Sequence, residues 1–313
     1  MILVTGANGY VGGYVLKHLR ETQPNAPVRA LARNPRNADK LKAAGAQPVI
    51  GDVTDLPSLQ AAMQGVDQVI HLAAVNRDKG ASTMQAINAE GTKNVVAAAK
   101  EAGVKHIVNL VGLGADPRRP YPLASTQGEG VNAIIASGIP FTILETSVIF
   151  GAGDEFINTL AGLARIPPVM VVPGDGKTRF QPMAAQDVAA CVVKSLALPA
   201  AINQRLQICG PEVVTLEQII DAILAEMGVS RIKLHMPVPL LKIGVGLMEA
   251  VLPKPPVTSS LLGMLGVDNV ATNNATFKVF GLLAMGLRRN IGFVKEMTLG
   301  KLIRRSLGKM EYR

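Results

Sequence analysis

Six short β-branched runs alternate with longer helical patterns through the first 145 residues, and this beat constrains the fold more than any other feature. The runs fall at 2–5 (ILVT), 27–32 (PVRALA), 47–50 (QPVI), 67–73 (DQVIHLA), 104–111 (VKHIVNLV) and 140–145 (PFTILE). Helix-like stretches lie between them, near 10–20, 36–44, 56–64, 84–102 and 126–137. Strands alternating with helices make βαβ units, which build a parallel sheet covered on both faces. The expected class is therefore α/β, a doubly wound parallel sheet.

Beyond residue 150 the beat breaks. Loops are marked by Gly151-Ala152-Gly153-Asp154, Pro167-Pro168 and Pro173-Gly174-Asp175-Gly176, with helices expected near 187–197 and 215–227. Prolines at 237, 239, 253, 255 and 256 then divide short helical pieces. The expected organisation is a principal domain over 1–150, a smaller C-terminal α/β lobe over 151–276 interleaved with the core, and a terminal segment 277–313.

Composition narrows the class of function. Hydrophobic residues make up 48% of the chain, which excludes a disordered protein. Cys191 and Cys209 give no disulfide framework, and the histidines at 18, 71, 106 and 235 lack metal-ligand spacing. Because the strand pattern begins at residue 2, no signal peptide is expected. No uncharged apolar run reaches the roughly 18 residues of a membrane span. The net charge of +9 is unevenly placed: residues 1–227 hold 19 Lys/Arg and 19 Asp/Glu, whereas residues 228–313 hold 13 against 4.

Thr5-Gly6-Ala7-Asn8-Gly9-Tyr10-Val11-Gly12 follows the first run directly and opens the first helical stretch. In such a turn Gly6 permits the tight bend, Gly9 lets a pyrophosphate approach the backbone, and Gly12 lets helix and strand pack closely. Around Asn8, Tyr10 and Val11 the helix start offers N–H groups and a positive dipole end to phosphate. A purely structural turn is the rival reading, outweighed by the loop's place at the head of six such units. A nicotinamide dinucleotide is the expected ligand. The second run ends Leu31-Ala32-Arg33-Asn34-Pro35, with no carboxylate before Asp39. An acidic residue there would bind a ribose 2′-hydroxyl; Arg33 instead offers a planar cation for a 2′-phosphate. NADP(H) is thus the preferred cofactor, with NAD(H) still admitted. Asp52 and Val53 close the third run, where a short carboxylate meets an adenine amino group or caps the next helix. Leu72, Ala73 and Ala74 end the fourth run with residues small enough to lie under a cofactor, and His71 reads as a buried, hydrogen-bonded histidine.

TGANGYVG, VRALARNP, GDV, VIHLAA, NAEGTKNVVAAAKEAGVKHIV and TILETSVIFGAGD together resemble the short-chain dehydrogenase/reductase superfamily, in its extended or atypical, epimerase/dehydratase-like branch. That resemblance implies an NAD(P)-binding Rossmann fold. The stretch PGDGKTRFQP ending at Pro182, followed by Gln186-Asp187-Val188-Ala189, is similar to proteins related to the nucleotide-binding accessory subunit of respiratory complex I. The likeness covers about residues 1–275.

Departures from the superfamily pattern bear on chemistry. Its catalytic members carry Tyr-x-x-x-Lys on the helix after the fifth strand and a hydroxyl residue ending that strand. The tyrosine transfers a proton, the lysine lowers its pKa, and the hydroxyl orients substrate. Here Gln127 stands at the lysine position and Leu123 at the tyrosine position, while Tyr121 lies six residues before Gln127. The fifth strand ends Leu110-Val111-Gly112-Leu113-Gly114, and Glu145-Thr146 replaces the Arg-Pro expected after Thr142-Ile143-Leu144. The resemblance to the complex I subunit implies a cofactor held as a structural or sensory ligand, in an accessory or assembly subunit of a membrane-associated redox complex. Two alternatives stay open. One is an active NADP(H)-dependent oxidoreductase or epimerase, with Tyr121 as a proton donor. The other is an interaction platform docking through the basic C-terminus.

Apolar positions 291, 294, 299, 302, 303, 307 and 310 recur at helical spacing in that terminus, among Lys295, Lys301, Arg304, Arg305 and Lys309. They read either as a helix packed on the lobe or as a device for docking to an anionic membrane surface or a protein complex. Nucleic acid is disfavoured, because none of the 4 tyrosines and 7 phenylalanines clusters with the basic run. The expected location is cytoplasmic, peripheral on the inner face of a membrane.

Overall fold

The computed structural model describes residues 1–309 as two compact units. One comprises Met1–Thr146, Ala185–Ile208 and Thr272–Leu282; the other comprises Ser147–Ala184, Cys209–Ala271 and the chain from Leu283 onward. This division differs from boundaries at 150 and 276. The chain leaves the first unit at Ser147 and returns twice, because the sheet of that unit takes a strand from beyond residue 200.

In the first unit the six anticipated strands form as β1 (Ile2–Thr5), β2 (Val28–Ala32), β3 (Gln47–Ile50), β4 (Gln68–His71), β5 (His106–Gly112) and β6 (Phe141–Thr146). A seventh, Gln204–Ile208, pairs parallel with β6 at the edge. From that edge the order is Gln204–Ile208, β6, β5, β4, β1, β2, β3, and every pairing is parallel. The order reverses beside β1 and β4, the switch point at which doubly wound sheets bind ligands. Leu3, Val69, Ile107 and Ile143 are fully buried, which is why these strands read as apolar runs.

The helices of this unit are α1 (Tyr10–Thr22), α2 (Ala38–Ala43), α3 (Leu56–Ala62), α4 (Gly91–Glu101) and α5 (Pro122–Ala136). A wide-turn helical stretch, Gln85–Glu90, leads into α4. α5 begins four residues before the anticipated start, with Pro122 at its first position. Proline suits that position because its fixed φ fits the helix and its missing N–H is not needed there.

The second unit has its own core, built from Ile157, Val172, Leu216, Ile219 and Ile223 among others. Short strands pair within it, including Val169–Pro173 with Ile232–Met236. Leu287, Ile291, Val294 and Met297 are buried in the same core, so this part of the segment 277–313 packs on the unit. Its helical stripe also breaks. A 3₁₀ turn spans Gly292–Glu296, and Thr298 caps a new helix, Leu299–Ser306, by accepting the Lys301 N–H. Met310 and Arg313, counted in the stripe and the basic run, lie outside the described residues. No helix among the described residues is long and apolar enough to cross a membrane.

Candidate cofactor site

β1 delivers the chain to Gly6 at φ +68°, the left-handed region. A Cβ there would lie 2.6 Å from backbone atoms of Leu72 and Ala73, so the loop presses against the end of β4. The Gly9 N–H donates to the Gly6 carbonyl at 2.8 Å and closes the turn. A Cβ on Gly12 would collide with that same carbonyl oxygen, so only glycine lets α1 begin this close to β1. Gly9 is exposed, and no side chain caps α1. Its first N–H groups therefore point outward without helical partners. The loop's Asn8 Oδ1 is buried and accepts no hydrogen bond among the described residues. A buried acceptor of that kind calls for a donor from bound ligand or water. Tyr10, next to it, packs edge-on against Tyr14.

Strand order sets the remaining candidates side by side. Ala73, Gly6, Arg33 and Asp52 follow β4, β1, β2 and β3, at the carboxyl ends of four neighbouring strands. Leu72 and Ala73 are half-buried and Ala74 is exposed. The exposed Arg33 directs one N–H toward Ser82 Oγ at 3.4 Å. Asp52 Oδ1 accepts from the N–H and hydroxyl of Thr54, and its amide N–H bonds Ser58 Oγ. The N-cap of α3 is Asp55, without a side-chain bond. Val53 is buried against Gly91, and its carbonyl accepts from Asn94 at 3.0 Å.

His71 is locked beneath this floor. The Thr92 hydroxyl donates to the Asn88 carbonyl at 2.7 Å, so it must accept from His71 Nε2–H at 2.9 Å. Nδ1 then accepts from the Thr5 hydroxyl at 2.7 Å. Burial pushes the imidazole down to about 4, so it is neutral and serves as a strut between β1 and α4.

Two of the positions that carry chemistry in the superfamily, Gln127 and Glu145, are otherwise engaged. Gln127 Oε1 accepts the Gly112 N–H at 3.1 Å, tying α5 to the end of β5. Tyr121 is the residue from which α5 starts. Glu145 is buried and forms an ion pair with Arg205 on the edge strand, whose Nε–H lies 2.6 Å from its carboxylate. Thr146, opposite Gly112 in the register, has a buried hydroxyl with no partner among the described residues.

Residues 6–199 match the family described as NAD(P)H-binding. The chain belongs to that family. It is 31% identical over 229 residues to the NAD(P)H azoreductase of Xenophilus azovorans, covering 73% of this chain and 74% of the relative. It is 24% identical over 223 residues to the mitochondrial NADH dehydrogenase (ubiquinone) 1 alpha subcomplex subunit 9 of Arabidopsis thaliana, covering 70% of this chain and 56% of the relative. The structure of the Escherichia coli NADPH-dependent quinone oxidoreductase complexed with NADPH shares the fold. Its TM-score is 0.75 at 24% identity, over 93% of this chain and 98% of that one.

As a member of the NAD(P)H-binding family, the chain has the loop geometry that a pyrophosphate needs, and the orphaned Asn8 acceptor fits a ligand beside it. Asn88 and Thr146 lie within the motif stretches, which give neither a role of its own. Asn88 clamps the segment after β4: its side chain accepts the Val75 N–H at 2.8 Å and donates to the Val75 carbonyl at 2.9 Å. An asparagine inside a helical pattern, where it is a poor former, was the available signal. Thr146 was marked only by standing where a proline was expected, because the isolation of its hydroxyl depends on tertiary packing.

Proposed function

We propose that this protein holds NADP(H) in preference to NAD(H) as a structural or sensory ligand, as an accessory or assembly subunit of a membrane-associated redox complex. The loop Gly6–Gly12 takes the pyrophosphate, Arg33 the 2′-phosphate and Asp52 the adenine edge. Val53, Leu72, Ala73 and Ala74 provide its apolar bed. When bound, the cofactor offers a hydride; the chain's part would be to supply the accompanying proton. One observation carries the reading. Gln127, where a lysine cation would lower a tyrosine pKa, spends its oxygen on the Gly112 N–H, and the tyrosine position is Leu123. General acid–base assistance is worth about 10²–10⁴-fold, so carbonyl reduction and epimerisation lose their main support. The basic excess beyond residue 228 docks the protein on the cytoplasmic face of an anionic membrane.

A second reading is favoured by the azoreductase relative. Hydride transfer to an azo or quinone acceptor can draw its proton from water and needs no Tyr/Lys pair. Mass spectrometry of ligand released from the purified protein should find NADP(H). NADPH oxidation is then followed with aldehydes and ketones, and separately with azo dyes and quinones. No turnover in either series supports the ligand role, and turnover in the second alone moves the assignment to the reductase. A robust carbonyl rate that vanishes in Tyr121→Phe would overturn both.

A further inference from the structure

The helix Val238–Val251 in the second unit is apolar on two faces. Leu241, Val245 and Met248 pack on the unit's core. Leu240, Ile243, Leu247 and Val251 recur every three or four residues on the opposite side and are 55%, 67%, 68% and 79% exposed. A helix that is apolar all round is ordinarily buried, in a core or in lipid. This one has a core on one side only. Four such neighbours in a row also exceed the scattered single apolar residues of an ordinary surface.

A second outward apolar row belongs to the same unit. Leu299, Ile303 and Leu307 are 41%, 50% and 44% exposed, while Leu302, Arg305 and Ser306 face inward. The ends of the two helices meet: Lys254 N–H donates to the Ser306 carbonyl at 3.0 Å, and Pro253 lies beside Gly308. Charge selects the occupant of this surface. Lys242 on the first helix, Arg304 on the second and Lys309 just after it are exposed. The one carboxylate of Val238–Val251, Glu249, is held by the Ser259 N–H and hydroxyl at 3.1 and 2.6 Å. A second copy would bring like charge against like, whereas an anionic lipid surface complements it. At 1.5 Å per residue, 14 residues reach about 21 Å, short of a hydrocarbon core of about 30 Å. The helix can lie in the interface but cannot span it.

We propose that Val238–Val251, with the outward row of Leu299–Ser306, inserts its exposed apolar face into the headgroup region of an anionic bilayer. This rests on the membrane reading above and assigns its contact surface, which the basic charges rim and the apolar side chains enter.

The full-length protein is sedimented with vesicles of phosphatidylcholine alone or mixed with phosphatidylglycerol, at low and high salt. The wild type should bind the anionic vesicles and keep a salt-resistant fraction, since insertion is not screened as charge attraction is. Ile243→Asn with Leu247→Asn should weaken binding on the order of a hundredfold. Lys242→Gln with Arg304→Gln should weaken it roughly 30-fold at low salt. The chain has no tryptophan, so Leu247→Trp gives a single reporter whose emission should shift to the blue with anionic vesicles only. Wild type left in the supernatant at low salt would refute membrane docking altogether. Equal binding by the Asn pair, with unshifted Leu247→Trp emission, would refute the inserted helix and leave charge docking standing. A dimer that the Asn pair abolishes, without lipid binding, would assign the surface to a second copy and overturn the proposal.

Discussion

Replacing His71 by asparagine should change the pH dependence of stability in a way fixed by its burial. The imidazole sits near 4 in the folded protein against an ordinary 6.5. A lowered histidine pKa means that the unfolded chain binds the extra proton first, so stability from this site is full above 6.5 and lost as pH falls toward 4. At 1.36 kcal/mol per unit, acidification from about pH 7 to about pH 5 removes roughly 2 kcal/mol. Asp154 titrates in the same window with the opposite sign. Burial pushes it up to about 7 despite N–H donors from Gly151, Ile157 and Asn158, so its contribution is largest at low pH and fades as pH rises through 7. The two trends oppose each other over that range, so a wild-type curve alone would not separate them. Their separation lies in the difference between His71→Asn and wild type, measured by urea unfolding across that range. The variant should be less stable near pH 7 by about 1–3 kcal/mol, because the Thr92 hydroxyl loses its donor. That deficit should shrink by roughly 2 kcal/mol on reaching about pH 5. A deficit independent of pH, or a His71 ring titrating near 6.5 by NMR, would refute the neutral strut.

Three further outcomes follow from the candidate cofactor site. Gly9→Val should abolish NADPH binding by calorimetry while circular dichroism stays native-like; Gly9 is exposed with an extended backbone, and its Cβ would lie 3.0 Å from the Gly6 carbonyl, over the phosphate approach. Arg33→Ala should cost roughly 1.5–3 kcal/mol of NADPH affinity, about 10- to 150-fold, and leave NADH affinity unchanged; equal wild-type affinities for the two cofactors would remove the argument. Gly6→Ala should lower the unfolding free energy by about 1–3 kcal/mol, since it adds left-handed strain to a 2.6 Å approach on backbone that cannot yield; a neutral effect in thermal unfolding would contradict the packing of loop on β4.

What the sequence exposes about this molecule follows from where each residue's constraint originates. β1, β4, β5 and β6 are legible because both faces are largely buried, which forces apolar runs whatever the neighbours are; β3, half-exposed at the sheet edge, is legible from its place in the alternation. Gly6 and Gly12 are legible because their constraint is local, a turn and a close helix start. Gln204–Ile208 is not: QRLQI is an edge strand whose polar side chains have work elsewhere, Arg205 on Glu145 and Gln207 accepting N–H groups from Thr272 and Asn273. Its membership of the sheet is decided by β6, not by its own pattern. The absence of a tyrosine–lysine pair is legible as a gap, but its structural consequence, Gln127 bonded to Gly112, needs two elements brought together. Periodicity fails most instructively in the last quarter. Residues 291, 294 and 302 are buried while 299, 303 and 307 face out, although all seven positions in that row, Met310 included, satisfy the same helical spacing. Spacing reports that side chains share a face; it cannot report whether protein covers that face. In Val238–Val251, where both faces are apolar, the sequence signal is that of a core helix, and only the fold reveals that one side was left uncovered.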